Sequence, residues 1–358
     1  MIFQLGQTVG HYEFIDIVDS NPNRVAFRVR NLALHRFELL RVLGTAVQGD
    51  EERTKRFLRE ADVHARLVHP NIVAFYNATA LSGQFVITTE LPEGVTLAER
   101  LELGPLPLPL AVSFFEQILS ALSCAHAHGI VHRNVSPSSL MVTPESAVKL
   151  AGFTYARGDV DPQLTQVGFT VGDVHYLSPE RVQGVAMLDP RSDIYSTGIV
   201  LYEAITGQKP FDGKSQFDIL AAQVSTIPAP PSQFNPEITP EWDQVVLKAV
   251  AKQPGDRFQS AAEFRDALRL LDPAAAQSSA AACPAEAPAK LAPPPAAVSA
   301  TPPAGIAVGE APRGEMALAG ALAASGPKIR SFRWGYAGVA WAVLAFTVFA
   351  VLVLMSGH

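Results

Sequence analysis

Between Pro273 and Pro327 the chain turns to alanine and proline, with runs such as Ala292-Pro-Pro-Pro-Ala-Ala, and this break bounds what the remainder can fold into. Aromatic residues vanish there and charges are sparse. Such a stretch cannot bury enough apolar surface to offset the entropy of ordering it, so residues 272–333 are expected to be a disordered linker. As a random coil it would span on the order of 40 Å. Upstream, residues 12–271 mix strand-like and helix-like patterns without long gaps. Downstream, Trp334–Met355 is apolar throughout, with neither a charged residue nor a proline.

A helix over Trp334–Met355 would be about 33 Å long at ~1.5 Å per residue, enough for a hydrocarbon core of roughly 30 Å. Trp334, Tyr336 and Trp341 cluster at its first end, as interfacial anchors do. Lys328, Arg330 and Arg333 precede it and only Ser356-Gly-His358 follow. The positive-inside rule then puts the residues before it in the cytoplasm, and the expectation is a C-terminal, single-pass tail anchor in contact with membrane lipid. The opening residues lack the basic and apolar pattern of a signal peptide. With a formal net charge of −6 and a pI near 5.9, a nucleic-acid partner is not expected. Cys124 and Cys283 fall in unlike contexts and suggest no disulfide framework.

Within residues 12–271 a series of motifs appears in fixed order. Phe57-Leu-Arg-Glu60 precedes His69-Pro-Asn-Ile-Val73; Thr88-Thr-Glu-Leu-Pro-Glu-Gly94 follows; then come Val131-His-Arg-Asn-Val-Ser-Pro-Ser-Ser-Leu-Met-Val142 and Ala147-Val-Lys-Leu-Ala-Gly-Phe-Thr154. Tyr176-Leu-Ser-Pro-Glu180, Arg191-Ser-Asp-Ile-Tyr-Ser-Thr-Gly198 and Asp256-Arg-Phe258 complete the series. Together they resemble the bacterial Ser/Thr protein kinase family. The resemblance implies an α+β, bilobal protein kinase-like fold over residues 12–271, with a small antiparallel-sheet N-lobe (12–91) and a mainly helical C-lobe (92–271). Beyond it lie the linker (272–333) and the membrane helix (334–355).

The resemblance also assigns roles. Val18, Val25, Arg41, Glu60, Thr89, Glu90 and Leu91 would line a nucleotide pocket, with Thr89 as gatekeeper and Arg41 at the position of the phosphate-binding Lys. Glu180 would pair with Arg257, Asp193 would hold the catalytic-loop backbone, and His132 would pack beneath it. Arg133 would face a phosphate on Thr165 or Thr170.

The chemical positions differ from the family pattern. A kinase places a catalytic Asp where this chain has Asn134, a Lys at Ser136, a metal-binding Asn at Ser139 and the second metal-binding Asp at Gly152. The loop Val18-Asp-Ser-Asn-Pro-Asn-Arg24, where backbone amides would cradle phosphates, contains no glycine. Asp173 stands in place of a threonine, and Asp159 and Asp161 are the nearest further acids after Phe153. Magnesium needs oxygen ligands, chiefly carboxylates and phosphates, so no metal site and no ATP cofactor are expected. The expected function is that of a membrane-anchored pseudokinase, a scaffold or allosteric partner for an active kinase or a phosphopeptide-binding module. The alternatives are a divergent but active ATP-dependent Ser/Thr kinase and a metal-independent nucleotide sensor.

Overall fold

The computed structural model describes residues 3–21, 24–43, 51–153, 174–185 and 188–271. Expectations for the linker, the membrane segment, Asp159, Asp161, Thr165, Thr170 and Asp173 fall outside these residues.

In the N-lobe, strands β1 (Thr8–Val9), β2 (Tyr12–Asn21), β3 (Arg24–Asn31), β4 (Arg36–Leu43), β5 (Phe75–Leu81) and β6 (Gln84–Glu90) form one antiparallel sheet, ordered β1-β2-β3-β4-β6-β5. Its inner face follows strand alternation: Phe14 on β2, Phe27 and Val29 on β3, and Leu40 and Val42 on β4 are all buried. Phe3 joins them, stacking on Phe14 with ring centroids 4.6 Å apart, so the folded lobe reaches back beyond Tyr12. Helix α1 (Glu51–Ala65) lies against β5 and turns Phe57, Ala61 and His64 inward.

After the short helix α2 (Leu97–Leu101), the C-lobe is organised on α3 (Leu108–Ala127) and α5 (Arg191–Thr206). Nearly every residue of α5 from Ser192 to Thr206 is buried, which makes it the lobe's central post. Gly198 allows α7 (Pro240–Ala249) to approach closely, because a Cβ there would lie 2.8 Å from the Ala249 Cβ. Helices α4 (Pro179–Val182), α6 (Gln216–Ser225) and α8 (Ala261–Arg269) complete the lobe.

Helix α3 begins at Leu108, within a proline-rich run. Pro107 occupies the N-cap and Pro109 falls within the first turn, where a missing N–H costs nothing because those groups have no intrahelical acceptor. The Pro105–Leu110 run is thus the entry to a core helix, with Leu106 buried. Among the described residues α3 is the one helix long and apolar enough to cross a membrane, but its burial marks it as a core helix.

Candidate active site

A second sheet, β7 (Val95–Thr96), β8 (Leu140–Val142) and β9 (Val148–Leu150), sits between the lobes. The chain passes from β6 to β7 through Gly94. Gly94 has φ +136°, and a Cβ there would fall 2.0 Å from the Val142 carbonyl oxygen, so only glycine fits. Thr88 and Thr89 at the end of β6 are buried, Thr89 opposite Leu39 of β4. Glu90 does not extend freely into the cleft. Its carboxylate accepts from the Ala74 N–H at 3.0 Å and pairs with Lys149 of β9 at 2.8 Å, which ties the N-lobe sheet to the second sheet. Neither Lys149 nor the close approach at Gly94 was singled out from sequence, because both roles depend on strands distant along the chain. Arg41 lies on β4 opposite Ile87, Val18 on β2 is exposed, and Val25 on β3 pairs with Ser20. Glu60 lies on α1, its side chain outside the described residues.

Residues 131–139 form a loop clamped from below. The buried Asp193 carboxylate, in the first turn of α5, accepts from the His132 N–H at 2.8 Å and the Arg133 N–H at 2.7 Å. His126 Nε2 lies 2.9 Å from the same carboxylate. Burial alone would raise the Asp193 pKa, but the His126 hydrogen bond and the backbone donors hold it below the usual carboxylate range. This clamp secures Arg133 in a left-handed conformation, φ +68°, uncommon for a residue with a side chain. Burial pulls down both the His132 imidazole and the Arg133 guanidinium. His132 Nε2 reaches the Ala151 carbonyl at 2.9 Å, and its ring meets Phe153 edge-on at 4.7 Å. His64 of α1 lies 5.8 Å from Phe153, so three rings connect the N-lobe helix to the loop.

The loop then closes on itself. The Ser139 hydroxyl donates to the Ser136 carbonyl at 2.8 Å and accepts from the Ser136 N–H at 3.1 Å, while the Ser136 and Ser138 hydroxyls meet at 3.0 Å. Asn134 is half-buried, its N–H donating to His132 Nδ1 at 3.2 Å. Gly152 has φ +90°, and a Cβ placed there would make ordinary contact with the His132 ring at 3.8 Å and the Ser139 Cβ at 3.9 Å. These residues do not fit a divalent ion in the usual kinase manner. Ser139 has already committed its hydroxyl to the loop, Gly152 has no side-chain oxygen, and no cluster of metal-ligating side chains occurs among the described residues.

Beside the first turn of α5, Arg257 donates to both oxygens of Glu180, at 2.9 and 2.8 Å, and to the carbonyls of Arg191, Ala251 and Lys252. Ser192 adds a hydrogen bond to Glu180 at 2.6 Å. Burial raises the Glu180 pKa, and these donors more than offset it, leaving it depressed. Arg181 donates from Nη1 to the Arg133 carbonyl, linking α4 to the clamped loop.

The two-lobed architecture, the clamped His-Arg-Asn loop and the Glu180–Arg257 pair set the context for comparison with known proteins. The profile of the protein kinase domain matches residues 40–268. The chain belongs to the protein kinase family. Its relatives include the serine/threonine-protein kinase PknB of Mycolicibacterium smegmatis, 39% identical over 267 residues, covering 72% of this chain and 43% of that protein. PknB of Mycobacterium leprae is 38% identical over 266 residues, again 72% and 43%. Among solved structures, the PknI kinase domain of Mycobacterium tuberculosis aligns with TM-score 0.58 and 26% identity, covering 75% of this chain and 99% of that one. The kinase chain thus spans less than half the length of the curated relatives it matches.

The comparisons correct three expectations. The non-enzymatic scaffold, the absence of enzyme activity and the absence of ATP and magnesium as cofactors rested on Asn134, Ser136, Ser139 and Gly152 together with the glycine-free loop at 18–24. The matching relatives are named serine/threonine-protein kinases, enzymes that move phosphate from ATP with Mg²⁺. An identity distributed over the whole domain outweighs those local positions. A substitution at one reacting position changes a rate, and the rate that results is not legible from residue type alone.

Proposed function

We propose that this kinase-family chain is a divergent ATP-dependent Ser/Thr protein kinase. The observation that carries this reading is the 39% identity to a named kinase over 267 residues. The clamp of Asp193 on the His132 and Arg133 amides supports it, since the loop keeps a defined shape whatever side chains it presents. The Asn134 carboxamide can accept a hydrogen bond from a substrate hydroxyl and so orient it, but takes no proton. General-base help is typically worth ~10²–10⁴-fold, so transfer is expected to be slow by that factor. No step is assigned to a metal ion, because Ser139 and Gly152 do not supply its ligands.

The test is incubation of the full chain with γ-labelled ATP, Mg²⁺ or Mn²⁺ and a Ser/Thr peptide. Incorporation above a protein-free blank is expected, rising about 10²–10⁴-fold in Asn134→Asp. Incorporation no greater than blank in both proteins would overturn the proposal. Thr165 and Thr170 are proposed as the acceptors whose phosphates Arg133 would face; phosphopeptide mapping should find one of them occupied. Trp334–Met355 is proposed as a C-terminal membrane anchor, on its length and uninterrupted apolarity. Carbonate-resistant membrane association should disappear when residues 334–358 are removed.

A further inference from the structure

Gln223 lies in the last turn of α6 and is wholly buried, although glutamine is a residue of surfaces. Both ends of its amide are used. Its Oε1 accepts from the Tyr195 hydroxyl of α5 at 2.5 Å, and its Nε2 donates to the His175 carbonyl and, at 3.5 Å, to that of Val174. The Tyr195 oxygen in turn accepts from Lys252 Nζ at 3.1 Å, and the same ammonium donates to the Gln223 and Ala222 carbonyls at 2.8 and 3.2 Å. Three acceptors match the three hydrogens of an ammonium. This arrangement fixes which way the amide points. Lys252 occupies the phenol oxygen as an acceptor, so the phenol hydrogen goes to Gln223 Oε1 and the Nε2 faces the two carbonyls.

The turn that Gln223 reaches, Val174–Tyr176, runs through Leu177 and Ser178 into α4. Val174 and Leu177 pack on Ile219, one turn earlier in α6, and the Tyr176 carbonyl accepts from the Ser196 hydroxyl of α5 at 2.7 Å. Beyond the turn, Arg181 donates to the Arg133 carbonyl. That carbonyl belongs to the peptide bond joining Asn134, so the placement of α4 is felt at the residue that would orient a substrate hydroxyl. Apolar packing on Ile219 holds α6 and the turn together without setting their register, because the hydrophobic effect is not directional. The Gln223 amide supplies the direction. A side chain of equal length without an N–H would fill the same space and leave two buried carbonyls short of a donor.

We propose that Gln223 is a positioning residue: oriented by Tyr195 and Lys252, it sets the Val174–Tyr176 turn and, through α4 and Arg181, the placement of Asn134. Its consequence for phosphoryl transfer rests on the kinase reading above. The coupling from α6 to the cleft loop does not, and it is measurable without any turnover.

The test is a double-mutant cycle on the full chain, read by amide hydrogen exchange. Gln223→Met keeps the length of the side chain and removes its donor. Exchange at residues 174–177 and at Asn134 should rise about tenfold, the equivalent of one net hydrogen bond, while amides in the middle of α3 keep the wild-type rate. Arg181→Met should raise exchange at Asn134 but not at 174–177, and the double variant should be no faster at Asn134 than Arg181→Met. Additive effects at Asn134, or an equal rise in α3, would make Gln223 a general packing residue and overturn the proposal. Unchanged exchange at 174–177 or at Asn134 would overturn it as well. If Gln223→Met does not fold, Tyr195→Phe decides: it keeps the ring, removes the donor to Gln223 Oε1, and should speed the same amides about threefold. No rise in that variant sinks the idea. With ATP and a Ser/Thr peptide, Gln223→Met should lower kcat about tenfold and leave the KM for ATP unchanged; an undiminished kcat would contradict the positioning role. A wild type without incorporation would remove the enzymatic reading alone, and the exchange cycle would still decide the coupling.

Discussion

Two clusters that meet at the first turn of helix α5 solve the same problem with different chemistry. The loop at residues 131–139 is held by a buried carboxylate bonding to backbone amides. The cluster around Glu180 and Arg257 is held by side-chain charges that satisfy one another. The first arrangement tolerates substitution of the residues it positions, because main-chain N–H groups are the same whatever the residue. The second tolerates none, because removing either ion strands the other. Divergence at Asn134, Ser136 and Ser139 beside a complete Glu180–Arg257 pair follows from that difference.

The comparison breaks most easily at the ion pair. Arg257→Met leaves the half-buried Glu180 carboxylate with only the Ser192 hydroxyl as a side-chain donor and should lower stability by ~3 kcal/mol in urea unfolding. The wild-type pair should weaken in acid. The folded pKa of Glu180 is depressed, so its contribution is complete above the unfolded value near 4.3 and is lost as pH falls through the folded one. An Arg257→Met protein as stable as the wild type would remove the contrast. Asp193→Asn tests the other side. It keeps one acceptor for two amides and should cost about 2 kcal/mol, with faster hydrogen exchange at His132 and Arg133. Unchanged exchange there would mean that the loop does not depend on its clamp.

Packing offers a smaller contrast between two glycines. Gly198→Ala drives a methyl group to 2.8 Å from Ala249 and Val250 and should cost about 1–3 kcal/mol by thermal unfolding. Gly152→Ala meets nothing closer than 3.8 Å and should cost only the strain of its positive φ, about 1 kcal/mol. Equal losses would show that space is not what separates them. Ser139→Ala should have an effect of about 1 kcal/mol, leaving the Ser136 N–H without its hydroxyl acceptor.

Much of this fold was legible in order and spacing. His69-Pro-Asn, His-Arg-Asn at 132–134, Ser178-Pro-Glu and Asp256-Arg each mark a turn or helix start that local chemistry favours, and together they specify the two-lobed domain. The start of α3 was less legible, since Pro107 and Pro109 read as a loop until their place in a first turn is seen. The site was legible as residue types but not as engagement. That Ser139 spends its hydroxyl on Ser136, or that Glu90 is taken by Lys149, depends on distances that no linear pattern carries. The expectation of a non-enzymatic scaffold rested on residue types at a few cleft positions, and the likeness to named kinases over the whole domain overturns it.

Sequence by itself determined the family, the alternation that buries one face of the N-lobe sheet, and the apolar, proline-free segment at 334–355. These rest on periodicity and composition, which are local properties of a chain. Tertiary structure alone decided that Lys252, Tyr195 and Gln223 meet, that Gly94 must lack a Cβ, and that Asp193 reaches beneath a loop 60 residues earlier. Burial, close approach and charge repulsion act through space, and they are settled only when distant segments pack against one another.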